Sequence, residues 1–314
     1  MKNLYIVLSL IIAMALLLVP LTATAPKSNV VEASVDVTLP TKTIKVKDAE
    51  TGEISDMDIK EYLFCVVSAE MPALYHEEAL KAQTVAAYTY ALYKSEINKN
   101  EEYDITNSHK TDQAFKPRNQ AVAAWGENAK EYEKKIDDAI EAVFGQALCY
   151  NNEIILCLYT AISSGKTESS EVAFGKKLPY LVPKESIGDM LSPDYLSTVT
   201  ISKDEVANKL AEKGISTDFK SWFASPKKSD SGTVLEMSFG DKTLSGSDIR
   251  TLFGLRSPNF QVELKEETFT FTVRGYGHLC GMSQYGANYM AMQGSSYKDI
   301  LLWYYTDCEI VSTK

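Results

Sequence analysis

Residues 59–92 read IKEYLFCVVSAEMPALYHEEALKAQTVAAYTYAL, and the way this stretch divides decides the fold. Tyr62, Leu63, Val66 and Val67 recur at helical spacing, and the residue before a proline is pushed out of the α region, so a first helix is expected to stop at Met71. Glu70 then occupies the last turn, where the macrodipole presents partial negative charge and the neighbours are apolar. Both conditions disfavour ionisation and raise the pKa. A carboxylic acid that keeps its proton near neutrality is what cleavage of an acetal requires, because the departing oxygen leaves poorly until it is protonated. A lone Glu at a helix end is also ordinary on a solvated surface, and from SAEMP alone both readings stand.

Residues 76–93 predict a second helix. Glu77 and Glu78 suit its positive amino end, and Ala79, Ala82 and Ala86 form a small-residue face for close packing. Lys81, Thr84 and Tyr88 fall on another stripe, which is expected to aim Lys81 and Tyr88 at the cleft of Glu70.

Downstream, residues 104–117 are polar and turn-rich, and His109 reads as a loop residue. Residues 119–144 predict a helix broken near Gly126, and residues 147–162 a hairpin turning at Asn151-Asn152. The run Ser163-Ser164-Gly165-Lys166-Thr167-Glu168 that follows allows close backbone and hydroxyl approach to a sugar, or is an ordinary turn. Residues 192–258 form a compositionally distinct unit, expected to be a small α/β insertion and the far wall of a substrate groove. In it Ser202 and Glu205 have capping-box spacing. Strands are expected within 260–273, then a glycine-rich passage from Gly275 to Gly286 that opens a helix, whose amino end offers unpaired N–H donors. There Tyr276 and Tyr285 can stack on sugar faces, while His278, Ser283 and Gln284 can bond hydroxyls. Trp303, Tyr304 and Tyr305 are expected to close the core.

Upstream, no charged side chain occurs from Leu4 to Ala25, a span longer than the roughly 20 residues of a membrane helix. Lys2 precedes it, which keeps the start cytoplasmic and faces the rest outward. A retained anchor over 1–25 is the preferred reading, with a cleaved signal peptide ending near Ala23-Thr24-Ala25 as the rival. A polar linker covers 26–34, and residues 35–314 form the extracytoplasmic body. The net charge of −10, with no basic patch interleaved with aromatics, argues against nucleic acid. Five cysteines cannot all pair internally, and in a two-residue hairpin Cys149 faces Ile154 and not Cys157. No disulfide scaffold is implied.

Three runs carry a resemblance. EYLFCVVSAEMPALYHEEALKAQTVAAYTYAL, ISSGKTESSEVAFG and GYGHLCGMSQYGANYMAMQG resemble, in order, the signatures of the stage II sporulation protein D family, which includes the amidase enhancers of cell-wall hydrolase operons. The resemblance implies an α+β fold, a mixed helical and antiparallel-sheet catalytic domain behind one transmembrane helix. It also implies a single-pass membrane protein that acts as a lytic transglycosylase on peptidoglycan glycan strands already stripped of stem peptides. Glu70 stands at the position of the family's catalytic acid. Lys81, Tyr88, Ser163, Ser164, Gly165, Lys166, Thr167, Tyr276, His278, Ser283, Gln284 and Tyr285 fall in the substrate-binding signatures. A cell-wall amidase and other engulfment proteins are the implied partners.

No cofactor is expected, and no metal, because the closely spaced His and Cys ligands of some members are missing between Cys65 and Cys149. The chain departs from the family pattern at three positions, with Tyr88 for Arg, Thr160 for His and Leu279 for Gly. The alternative function is therefore a catalytically impaired, peptidoglycan-binding amidase enhancer. A cysteine hydrolase built on Cys280 and His278 has little support, since no orienting Asn or Asp is identifiable.

Overall fold

A computed structural model describes residues 42–215 and 218–312. The apolar segment 4–25, the linker 26–34 and the first residues of the expected strand before the helices lie outside the described residues. No described helix is long and apolar enough to cross a membrane.

The chain enters as a hairpin, β1 (Thr43–Lys47) and β2 (Ile54–Asp58), and turns into α1 (Ile59–Glu70), where the Asp58 carboxylate caps the Lys60 and Glu61 amides. Every residue of α1 from Tyr62 to Val67 is buried, as expected of a helix that is apolar all round and central. Met71 is extended, with φ −131° and ψ 133°, so the helix stops where Pro72 requires it to. After a short turn, α2 (Glu77–Ile97) begins at His76, whose Nδ1 accepts from the Glu78 amide. It runs four residues beyond the predicted end.

α2 packs against α1 and receives α4 (Ala129–Val143) and β4 (Gln146–Tyr150), while α3 (Arg118–Trp125) packs on α1 and α4, all around the same core. The break between α3 and α4 falls at Gly126, whose φ is +55°. β4 turns through Asn151 and Asn152, both at positive φ, into β5 (Glu153–Ile154), with Cys149 opposite Ile154. β6 (Tyr159–Thr160) and the short α5 (Ser170–Phe174) follow.

A second apolar cluster begins at Ile201 and runs to Val273. Its elements are β7 (Leu196–Ser202), α6 (Lys203–Glu212), β8 (Ala224–Lys228), β9 (Val234–Phe239), β10 (Lys242–Leu244), α7 (Gly246–Phe253), β11 (Phe260–Lys265) and β12 (Thr268–Arg274). The Ser202 hydroxyl caps the Glu205 amide as its spacing predicted. β12 lies between β11 and β7, and its strict alternation puts Phe269, Phe271 and Val273 inside.

The chain then returns to the first core through β13 (Met282–Ser283), α8 (Gln284–Met292), α9 (Tyr297–Tyr304) and β14 (Glu309–Ser312), which pairs with β4. Tyr304 and Tyr305 close the core as expected, whereas Trp303 is 42% exposed. The architecture is mixed α and β, with small sheets. Among the described strands the expected antiparallel pairing holds except for β1 with β3 (Ile105–Thr106) and β6 with β13, which are parallel. The second exception positions the site.

Candidate active site

Glu70 ends α1 at the floor of a cleft of about 580 Å³. Its Oε1 accepts the Ala114 amide at 2.6 Å, and its Oε2 accepts the Gln284 side-chain amide at 3.3 Å. The Tyr159 hydroxyl lies within hydrogen-bond reach as well. Burial raises the Glu70 pKa, while the Ala114 and Gln284 amides and the nearby His109 oppose the rise; burial is the larger effect and the acid is shifted upward. Tyr159 donates to Gln113 Oε1 at 2.7 Å, and Gln113 Nε2 donates to the buried Tyr62 hydroxyl at 2.8 Å, so α1 and β6 are joined beside the acid.

One wall is the loop of residues 107–114. Asp112 clamps it, for its side chain is 2% exposed and pairs with Lys94 at 2.8 Å. It also accepts from the Tyr90 hydroxyl and from both the amide and hydroxyl of Thr106. Both carboxylate oxygens are therefore taken. Asp112 lines the cleft but is tied to the scaffold, which leaves Glu70 as the carboxyl group there without a fixed cation.

The opposite wall is the glycine-rich passage. β6 pairs with β13 in register Met282 with Tyr159 and Ser283 with Thr160, which sets Gln284 over Glu70 and brings Tyr276, Gly277 and His278 to the cleft mouth. Tyr276 is 46% exposed there, with the Arg256 guanidinium 5.1 Å from its ring centre. His278 packs edge-on against Phe174 and its Nδ1 accepts the Cys280 amide, so the ring proton sits on Nε2. Burial, helped by the Arg250 cation, lowers its pKa to about 4, and the imidazole is neutral. Gly277, at φ +113°, has no room for a side chain: a Cβ would meet the Thr160 hydroxyl at 2.2 Å.

The structure gathers Glu70, Tyr276, His278 and Gln284 into one cleft and places the other expected residues elsewhere. Lys81 pairs with Glu78 at 2.6 Å at the amino end of α2. The Tyr88 ring is buried 5.7 Å from Phe144. The stripe of Lys81 and Tyr88 faces away because the side of α2 turned to Glu70 is that of Gln83, Tyr90 and Lys94. Ser163 and Ser283 bind Asp189, a buried carboxylate with raised pKa. Ser164 bonds main-chain oxygens of Lys166 and Ser231, the Thr167 hydroxyl accepts the Lys184 amide, and Lys166 pairs with Glu185. Gly165, at φ +89°, lies against Met190. The Tyr285 hydroxyl donates to Leu191 O at 3.3 Å. Within the cleft lining there is no residue from 192–258, so the far wall expected of that segment is built by loop 107–114 and Phe174.

Tyr90, Asp112, Gln113 and Tyr159 also line the cleft, and none of them stands out in the sequence as a site residue. Tyr90 and Lys94 were detectable as the i+7 and i+11 positions from Gln83, but nothing local marks Asp112 or Tyr159. Of the departures from the family pattern, Thr160 receives the Leu279 amide and donates to Tyr276 O, and Leu279 sits at φ +67° with its side chain buried. All five cysteines are buried and unpaired.

Residues 47–150 match the family model described as Stage II sporulation protein. The chain is 33% identical over 334 aligned residues to Stage II sporulation protein D of Bacillus subtilis (strain 168), covering 99% of this chain and 96% of that one. It is also 33% identical over 270 residues to the protein of the same name from Bacillus amyloliquefaciens, covering 85% and 78%. The amidase enhancer of Bacillus subtilis (strain 168) is 27% identical over 302 residues, 79% of this chain but 40% of that protein. With near full-length coverage of both chains at this identity, and with Glu70 in the matched region, the chain belongs to the stage II sporulation protein D family.

Proposed function

We propose that this protein is a lytic transglycosylase that cleaves the MurNAc–GlcNAc bonds of peptidoglycan glycan strands, with Glu70 as its one acid and base. The observation that carries this reading is a buried Glu70, its pKa raised by desolvation, facing a cleft whose other carboxylate, Asp112, is occupied by Lys94, Tyr90 and Thr106. Hydrolysis of a glycoside generally uses two carboxyl groups. Intramolecular transfer can use one. Glu70 gives its proton to the glycosidic oxygen as the bond to C1 breaks, the muramic acid C6 hydroxyl closes on C1, and the Glu70 carboxylate takes the hydroxyl proton. The products are a 1,6-anhydro end and a free 4-hydroxyl, with no water consumed. Proximity of the C6 hydroxyl replaces the second protein group.

Tyr276 offers an exposed ring to a sugar face, while neutral His278, whose ring N–H bonds the Tyr159 main chain, holds the cleft mouth in shape. The apolar stretch 4–25 is proposed as a retained single-pass anchor holding the body outside the cell, with engulfment-stage wall remodelling as its setting and a cell-wall amidase supplying denuded strands. Ser163–Thr167, Ser283 and Tyr285 support the walls of the site through their hydrogen bonds, and Lys81 the amino end of α2. The test is incubation of the chain, in detergent micelles, with purified denuded glycan strands and mass analysis of the ends. Anhydro-muramyl ends from wild type, reduced at least 100-fold in Glu70→Gln, are expected. Absence of such ends from wild type, with strand binding intact, would favour the second reading. That reading is suggested by the similarity to an amidase enhancer: a wall-binding protein that activates an amidase.

A further inference from the structure

Gln83 lies on α2 directly behind the acid and is wholly buried. Its Oε1 accepts from Gln284 Nε2 at 3.3 Å, and the same nitrogen donates to Glu70 Oε2 at 3.3 Å. The Gln83 Nε2 is buried with no hydrogen-bond partner among the described residues. A buried amide without a partner is destabilising, and most such groups in folded proteins are satisfied. With Gln284 donating to Glu70, turning the Gln83 amide over would not cure this, because its NH2 group would then face the NH2 group of Gln284. The amide of Gln284, left to itself, can rotate and present its carbonyl oxygen to Glu70.

We propose that Gln83 is a positioning residue for Glu70: its carbonyl locks the Gln284 amide with the NH2 edge toward the acid, while its own NH2 group goes unpartnered. The other titratable or charged groups facing Glu70 are His109, Lys110 and Asp112 on the loop, Tyr62 on α1, Tyr90 on α2, Tyr159 on β6 and His278. None of them is hydrogen-bonded to Gln83 among the described residues. Replacing Gln83 therefore changes the Gln284 orientation while leaving that surrounding set in place. This inference rests on the reading of Glu70 as the acid of glycan cleavage.

The experiment is a carbon-13 NMR titration of the Glu70 carboxyl in the whole chain, assigned by its loss in Glu70→Gln. It compares wild type, Gln83→Met, Gln284→Met and the double variant. Gln83→Met is expected to move the Glu70 midpoint upward, in the direction of Gln284→Met, because the donor that favours the carboxylate is no longer held. The double variant should move no further than Gln284→Met alone. Thermal stability of Gln83→Met should equal or exceed wild type, since the orphaned donor is gone. Its kcat for anhydro-end formation should fall roughly tenfold with KM unchanged. An unmoved midpoint in Gln83→Met, or additive shifts in the double variant, overturns the proposal. Gln83→Leu, which removes the same polar atoms in a different shape, must give the same result. Should the midpoints behave as expected while wild type yields no anhydro ends, the positioning role stands and the lytic reading falls.

Discussion

The main-chain amide of Ala114 stands 2.6 Å from Glu70 Oε1, joining the loop after α2 to the last residue of α1. A backbone donor survives every substitution at its own position except proline. The loop that presents it can be disturbed, and Asp112 is the group that holds the loop.

Asp112→Ala should therefore weaken activity without contacting substrate. Removing the acceptor leaves Lys94, Tyr90 and Thr106 without their partner, and a destabilisation of about 1–3 kcal/mol is expected. A loss of roughly tenfold or more in anhydro-end formation should accompany it, since small displacements of a positioned acid are costly. Urea denaturation and end analysis on one preparation check both parts.

The pH dependence follows from the raised pKa of Glu70. A carboxyl group whose folded pKa exceeds its unfolded value contributes stability that is complete below the unfolded pKa and is lost as pH rises through the folded pKa. Glu70→Gln stays neutral throughout, so its melting temperature should exceed wild type at neutral and alkaline pH and converge with it in acid. Wild-type kcat should fall as pH rises through the same pKa, because the acid form gives the proton. Thermal melts at a series of pH values, and equal melting temperatures across the series, would refute the buried-acid assignment.

Asp189 holds two of the sequence signatures together, receiving the Ser163 amide and hydroxyl and the Ser283 hydroxyl while buried. Asp189→Ala orphans these donors and should destabilise the protein by about 3 kcal/mol, with Asp189→Asn intermediate. Equilibrium unfolding of both variants measures this.

Leu279 has φ +67° and a fully buried side chain. Glycine there would relieve backbone strain of about 1–3 kcal/mol but would leave a cavity worth about 2–5 kcal/mol. Leu279→Gly should thus be destabilising by about 1–2 kcal/mol, the difference of the two effects. A gain in stability in urea titration would contradict this balance.

The thiols should be unreactive in the folded state. Burial pushes Cys65, Cys280 and Cys308 up to about 12 and Cys149 to about 11, and raises Cys157 further. Iodoacetamide at neutral pH should leave the native protein unlabelled and its activity intact, and should label five sites after unfolding in denaturant without reductant. Fewer than five labels would reveal a disulfide.

Pro72 ended the first helix, Gly126 broke the third from the fourth, the Asn151-Asn152 pair turned a hairpin, and Ser202 capped a helix, all as read from the residues. Each is decided by dihedral preference or by a bond to a residue two to four positions away, so the order of neighbours is enough. The placement of Glu70 at an apolar helix end was legible for the same reason. Which face of α2 turns to that acid was not, because Gln83 and Lys81 lie on the same helix and only the packing of α1, α4 and α8 around it chooses between them. Nor was the short parallel pairing of β6 with β13, which sets Tyr159, from the middle of the chain, and Gln284, from near its carboxyl end, beside Glu70. Two-residue strands carry almost no propensity of their own, so the second core that lies between them in sequence, and the burial it permits, had to bring them together.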